Sequence, residues 1–272
     1  MKATVFLGGG RITAALIAGL RLAKYRAPVI VHDRNPHKLR ALKKKFGVSV
    51  EPDLLRAVRQ ARLLIVAVRP GDVESVLRDI RRRGKSNFVV CSLAAGIPLA
   101  NLRKMLGPPV RWLRAMPSPV ARFGPGLTGL TFPRRFPRSD RLLVQNFFSQ
   151  VGDVVEIPES QFDAFTVTYS ASHGYHALAA LAQAAHKLGL EEKMARVAAA
   201  HALGDAIVAC RDGKESLQAL LGEAATPGGI AATVMDSMDE AGYPEIIRRA
   251  LMAGVTRARQ NAKATRARRP AV

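Results

Sequence analysis

The chain has 272 residues, 48% of them hydrophobic, which is enough to bury one large core or two smaller ones, and its formal net charge is +21. No apolar run reaches the roughly 18 uninterrupted residues that would span a membrane, the amino terminus reads as a strand rather than a cleavable signal, and Cys91 and Cys210 lack metal-ligand spacing. The expectation is a soluble, unsecreted, cytoplasmic protein of two domains, with no metal, no membrane partner and two reduced, buried thiols.

Ala3 to Leu20, ATVFLGGGRITAALIAGL, reads as a β-type run that enters a glycine turn and leaves as an amphipathic helix. Gly8 and Gly10 take the first two places of G-x-G-x-x-G/A, where a Cβ would keep the backbone away from a dinucleotide pyrophosphate, and Thr13 takes the third. The amides that open the helix, at Arg11 and Ile12, would face that anion. An ordinary flexible turn is the plain alternative. Ala27 to Asn35, APVIVHDRN, supplies the second strand of a βαβ unit. At its end Asp33 can accept from a ribose 2′-hydroxyl or cap the next helix ahead of Pro36, whereas Arg34 can pair with a 2′-phosphate. Asn35, His37 and Lys38 favour the phosphate, so NADPH is the expected cofactor, with NADH open.

Further along, helices are predicted over Lys38–Phe46 and Leu54–Ala61, with a short strand at Val48–Val50 between them. Leu63–Val68 is a continuous apolar run suited to a buried parallel strand. Ligands of doubly wound sheets sit at carboxyl ends of strands, which makes Ala67, Val68, Arg69 and Pro70 a candidate cofactor rim. Val73–Arg82 should be helix, Asn87–Leu93 strand running into Ala95 and Gly96, and Pro98–Leu106 helix. A strand over Val110–Ala115 ends in MPSPV, and strands at Gly126–Phe132 and Asp153–Ile157 flank a helix at Arg138–Gln150. Pro158 marks a boundary, because the pattern beyond Ser160 is helical and alanine-rich. Residues 1–158 are therefore expected to form an NAD(P)-binding domain on a doubly wound parallel sheet, and 159–272 an all-α domain. Its helices are predicted at Asp163–Leu188, Glu191–Ala209, Ser216–Glu223, Ile230–Glu240 and Pro244–Lys263. Their small residues and long apolar faces suit a subunit interface, and a compact bundle is the alternative.

Basic residues are spread over several helices, at Arg21, Lys24, Lys43 to Lys45, Arg56, Arg59 and Arg81 to Arg83, with a further pair at Arg134 and Arg135. No nucleic-acid-binding module accompanies them, so specific nucleic-acid binding is not expected. No acidic residue follows Glu245, and the end, RARRPAV, reads as a short disordered basic tail.

Taken in order, the glycine turn, DRNP at 33–36, AVRP at 67–70, SLAAGI at 92–97, RAMP at 114–117, FDAFT at 162–166 and ATPGGIA at 225–231 resemble the pyrroline-5-carboxylate reductase family, as far as about residue 262. The resemblance implies a Rossmann-like domain followed by an all-α dimerisation domain, and a homodimer or a ring of dimers. It also implies reduction of the small cyclic imine Δ1-pyrroline-5-carboxylate to proline with NAD(P)H, the last step of proline biosynthesis. Thr226, Gly228 and Gly229 would hold the substrate carboxylate, in the place where the family has a serine and two glycines. Met116, Ser118, Ser172 and Ala231 would lie around the substrate.

Departures from the family pattern fall on this substrate half. Ile230 and Ala231 stand where the family has threonines, the second of which brings a hydroxyl to the imine nitrogen. MPNTP becomes Met116 to Val120, and SGSGPAY becomes SASHGYH at 170–176. The last change introduces His173, whose imidazole could supply the missing proton, fill volume or cap a helix. The departures leave open a paralogue that reduces a different imine or oxo acid, and a non-catalytic cofactor-binding protein with polyanion affinity.

Overall fold

The computed structural model describes residues 2–82 and 87–267. The chain divides into two compact units: one contains the residues up to Tyr169 together with those from Ala253 onward, and the other is Ser170–Met252.

The first unit is built on an eight-stranded sheet in the order β3-β2-β1-β4-β5-β6-β7-β8. Its strands are β1 (Ala3–Leu7), β2 (Val29–His32), β3 (Ser49–Val50), β4 (Ala61–Val66), β5 (Val89–Ser92), β6 (Arg111–Pro117), β7 (Gly126–Thr131) and β8 (Gly152–Glu156). Helices α1 (Arg11–Leu22), α2 (Pro36–Phe46) and α6 (Arg138–Phe148) contribute to the core on one face. On the other lie α3 (Leu54–Arg59), α4 (Val73–Arg81) and α5 (Leu99–Met105). The alternation of strand side chains explains the two cores: Val5 and Leu7 of β1 join one cluster and Phe6 the other. Leu63 to Val66 of β4 are wholly buried, as a strand covered on both faces requires.

The doubly wound sheet is as expected, with one correction at its edge. β7 pairs antiparallel with β6, and β8 runs parallel to β7. Residues 118–125 hold only a 3-10 turn at Pro119–Arg122, too short for the crossover of a dozen or more residues that a parallel connection needs.

α7 (Glu159–Thr168) packs on β7, where a Cβ at Gly129 would overlap the Phe165 ring. The single helix predicted from Asp163 is broken after Thr168, and α8 spans Ala171–Lys187. Tyr169 leaves the helical conformation with ψ 49°, and its hydroxyl accepts the Leu127 N–H at 2.8 Å. A tertiary hydrogen bond thus ends a helix that has no local breaker. The final helix, α12 (Tyr243–Ala267), continues beyond the predicted Lys263, and residues 268–272 of the basic tail lie outside the described residues.

The second unit holds α8, α9 (Glu192–Asp212), α10 (Leu217–Ala224), α11 (Ile230–Glu240) and the first part of α12. Only Ala195 and Ala199 are buried within it. Ile207 and Val208 are 60% and 50% exposed, and the neighbouring Cys210 is exposed too. The expectation of two buried thiols is therefore corrected: Cys91 is buried in the sheet unit, whereas Cys210 lies exposed on α9 beside exposed apolar residues.

Candidate functional site

The glycine turn joins β1 to α1. Gly8 has φ 108°, a Cβ there would lie 2.7 Å from the carbonyl oxygen of Ala67, and its N–H donates to His32 at 2.7 Å. Only glycine fits such a turn against a neighbouring strand end. Gly10 caps α1 without a side-chain hydrogen bond, no heavy atom lies within 4 Å of where its Cβ would stand, and the first turn carries no acidic residue. The amides at Arg11 and Ile12 thus begin a helix in open space, with the positive end of its dipole unmatched. That cradle suits a dinucleotide pyrophosphate. Thr13 is fully buried, and its hydroxyl donates to the Gly8 carbonyl at 2.6 Å, which explains a threonine in the third place of the motif.

Asp33 follows β2. One carboxylate oxygen accepts the Gly9 N–H at 2.7 Å and the other the Asn35 N–H at 2.8 Å, while the Lys38 ammonium lies 3.5 Å away. Partial burial pushes its pKa up, but the amides of Asn35 and Gly9 and the charge of Lys38 outweigh that and hold it below the usual carboxylate range. The cap of α2 is Asn35, whose side chain accepts from His37 N–H, with Pro36 in the first helical position. Arg34 is 74% exposed, and its guanidinium lies 3.5 Å from Asp72, in the turn that follows the AVRP segment.

Because β1, β2, β4 and β5 are parallel, their carboxyl ends share one edge. There the sheet unit brings together Gly8 to Ile12, Asp33 to Asn35, Ala67 to Pro70, and Ala95 with Gly96. Met116 and Ser118 close the parallel set at the end of β6. Ser118 is buried and its hydroxyl oxygen accepts the Val120 N–H at 3.1 Å, capping the 3-10 turn.

The remaining candidates belong to the helical unit. Ser172 and His173 lie in the first turn of α8, where the Ser170 and Ser172 hydroxyls are 2.7 Å apart and the His173 N–H donates to Ser170 at 2.9 Å. Thr226 accepts the Gly229 N–H at 2.9 Å, Gly228 has φ 74°, and Gly229 caps α11 without a side-chain hydrogen bond. The amides of Ile230 and Ala231 therefore open a second helix that has no acidic residue in its first turn, a cradle suited to a carboxylate. Sequence reasoning missed Asp72 beside Arg34, and Ala258 and Asn261 beside Gly96 and Ala95. Only the small-residue spacing Gly254, Ala258, Ala262 hinted at the latter.

Residues 4–96 match the family described as NADP oxidoreductase coenzyme F420-dependent, and residues 159–261 the family described as pyrroline-5-carboxylate reductase dimerisation. A pyrroline-5-carboxylate reductase of Methanosarcina acetivorans is 30% identical to the chain, over 95% of this chain and 96% of its own length. The chain belongs to the pyrroline-5-carboxylate reductase family. A second reductase of that name, from a Synechocystis species, is 28% identical over 94% of this chain and 97% of its own length. The fold agrees with that of the Plasmodium falciparum pyrroline carboxylate reductase crystallised with NADP bound, with a TM-score of 0.86 at 20% identity, covering 96% of this chain and 98% of that one. A Coxiella burnetii pyrroline-5-carboxylate reductase gives 0.85 at 24% identity, with the same coverage. In this reductase, the dimerisation match begins at Glu159, the first residue of α7.

Proposed function

We propose that this reductase reduces the C=N bond of 1-pyrroline-5-carboxylate with NADPH, forming proline, and that it works in the cytoplasm as a homodimer or a ring of dimers. The observation that carries the reading is the likeness to the Methanosarcina acetivorans reductase along nearly the whole of both chains. When bound, the nicotinamide supplies the hydride that reaches the imine carbon. The protein has to orient and neutralise. Backbone amides at Arg11 and Ile12 meet the pyrophosphate, and Arg34, Asn35 and Lys38 meet the 2′-phosphate. Asp33 fixes the turn through Gly9. Ala67, Val68, Arg69, Pro70, Ala95 and Gly96 form the cofactor rim.

The amides that follow Gly228 and Gly229 hold the substrate carboxylate, and the Thr226 hydroxyl donates to it. Met116, Ser118 and Ser172 surround the substrate. His173 gives the imine nitrogen its proton as the carbon gains the hydride, so one C–H and one N–H bond form while the C=N π bond is lost. The small number of buried side chains in residues 170–252 supports association through the helical unit. Ile230 and Ala231, which lack hydroxyls beside the carboxylate cradle, favour a second reading in which the preferred substrate is a different imine or an oxo acid.

Loss of NADPH absorbance, followed with pyrroline-5-carboxylate, its six-membered homologue and several small oxo acids, tests both. The expected order places pyrroline-5-carboxylate first, and a faster six-membered imine or oxo acid selects the second reading. Tight NADPH binding with no oxidation by any of these compounds overturns both in favour of a non-catalytic cofactor-binding protein.

A further inference from the structure

The last turns of α12 return to the sheet unit and present Gly254, Ala258 and Ala262 at four-residue spacing, along one face of the helix. Each position marks a close approach. A Cβ at Gly254 would lie 3.0 Å from the Val167 side chain of α7. A Cβ at Gly96 would lie 2.8 Å from the Cα of Ala258, so the helix backbone rests directly on that glycine. The carbonyl of Ala262 accepts the side-chain amide of Asn101 at 3.1 Å. On the same stretch, Asn261 donates from its side chain to the carbonyl of Ala95 at 3.4 Å, a contact between residues 166 positions apart.

Two of these contacts, those of Ala258 and Asn261, fall on the loop between β5 and α5, which carries Ala95 and Gly96. Gly96 has φ 76° and lies under the backbone of Ala258, so the fold requires glycine there before any ligand is considered. The loop lies at the shared carboxyl edge of the parallel strands, and a bulky residue at 258 or the loss of Asn261 would let it shift. A shift of about 1 Å at a cofactor rim is enough to spoil alignment.

We infer that Ala258 and Asn261 are positioning residues for the cofactor: α12 seats the Ala95–Gly96 loop, and through it the rim against which NADPH lies. The inference rests on the NADPH reading proposed above. It gives the end of the chain a role in cofactor binding distinct from the association of subunits.

The test titrates NADPH into full-length wild type, Asn261→Ala, Asn261→Asp and Asn101→Ala, with Tm and both KM values measured alongside. Removing the Asn261 amide is expected to weaken NADPH about 5-fold and to raise its KM, with Tm and the KM for pyrroline-5-carboxylate held. Asn261→Asp should weaken NADPH further, because a carboxylate would face the Ala95 carbonyl. Asn101→Ala, which removes a side-chain bond between α5 and α12, should lower Tm and leave NADPH affinity unchanged. An Asn261→Ala protein that binds NADPH as wild type does, or whose two KM values move together in step with Tm, overturns the inference alone. Wild type that binds no NADPH overturns the cofactor reading, and the inference with it.

Discussion

Arg114 of β6 donates to Asp163 of α7 at 2.8 Å, and the guanidinium is only 2% exposed. It also stacks over the Phe162 ring, 4.5 Å from its centroid, and lies 3.6 Å from Glu159, whose carboxylate accepts the Leu99 N–H that opens α5. RAMP and FDAFT, far apart in the sequence, thus meet through the Arg114–Asp163 ion pair, with an aromatic floor. The pair fastens α7 to the sheet and has no hydride chemistry to perform.

Replacing Arg114 by Ala strands Asp163 and Glu159 without their buried cation and should cost about 3 kcal/mol. Urea denaturation measures it. The paired replacement Arg114→Met with Asp163→Leu should recover the part of that loss that belongs to Asp163, and no recovery at all would show that these two charges do more than satisfy one another.

Asp33 makes stability depend on acid pH. Its folded-state pKa is depressed, so the native carboxylate takes up a proton less readily than the unfolded one. The resulting stabilisation is fully present above the unfolded pKa of about 4 and is lost as pH falls through the lower, folded value. Asp33→Asn should therefore be less stable than wild type at neutral pH, with the gap closing under acid. Urea midpoints across that range check the sign.

Arg34 is exposed, and its partner Asp72 is itself partly exposed, so it is available to a 2′-phosphate at little cost. Arg34→Ala should weaken NADPH about 10-fold while leaving NADH nearly unaffected. Equal losses for the two cofactors would reject contact with the 2′-phosphate.

His173→Ala should lower turnover and flatten the dependence of kcat on pH, with NADPH affinity intact. Unchanged kinetics would leave solvent as the proton source and reduce His173 to a residue of the first turn of α8.

Local chemistry explains which of these features the sequence discloses. The β1–α1–β2 unit is legible because apolar alternation, glycines and a helical period follow one another within about thirty residues. The reversal of β7 is not carried by its own residues, since strand direction leaves no mark on alternation, although the shortness of residues 118–125 implied it. The break at Tyr169 depends on Leu127, more than forty positions earlier, and the seat of Gly96 on Ala258 depends on the last helix. Asp33 shows the limit at the site itself. The motif calls for an acid at this strand end, but only the structure shows that its oxygens already serve Gly9 and Asn35.

The two cysteines, which lack metal-ligand spacing, make the chain its own reporter. Burial pushes the Cys91 thiol far above its ordinary range, so alkylating reagents should reach that sulfur only when the sheet opens, and its labelling rate counts those openings. Cys210 lies uncovered on α9 of the single chain. Its labelling, followed as protein concentration rises, gauges how far a second chain shields that helix, and a pair of sulfurs thereby separates unfolding from dissociation without an added probe.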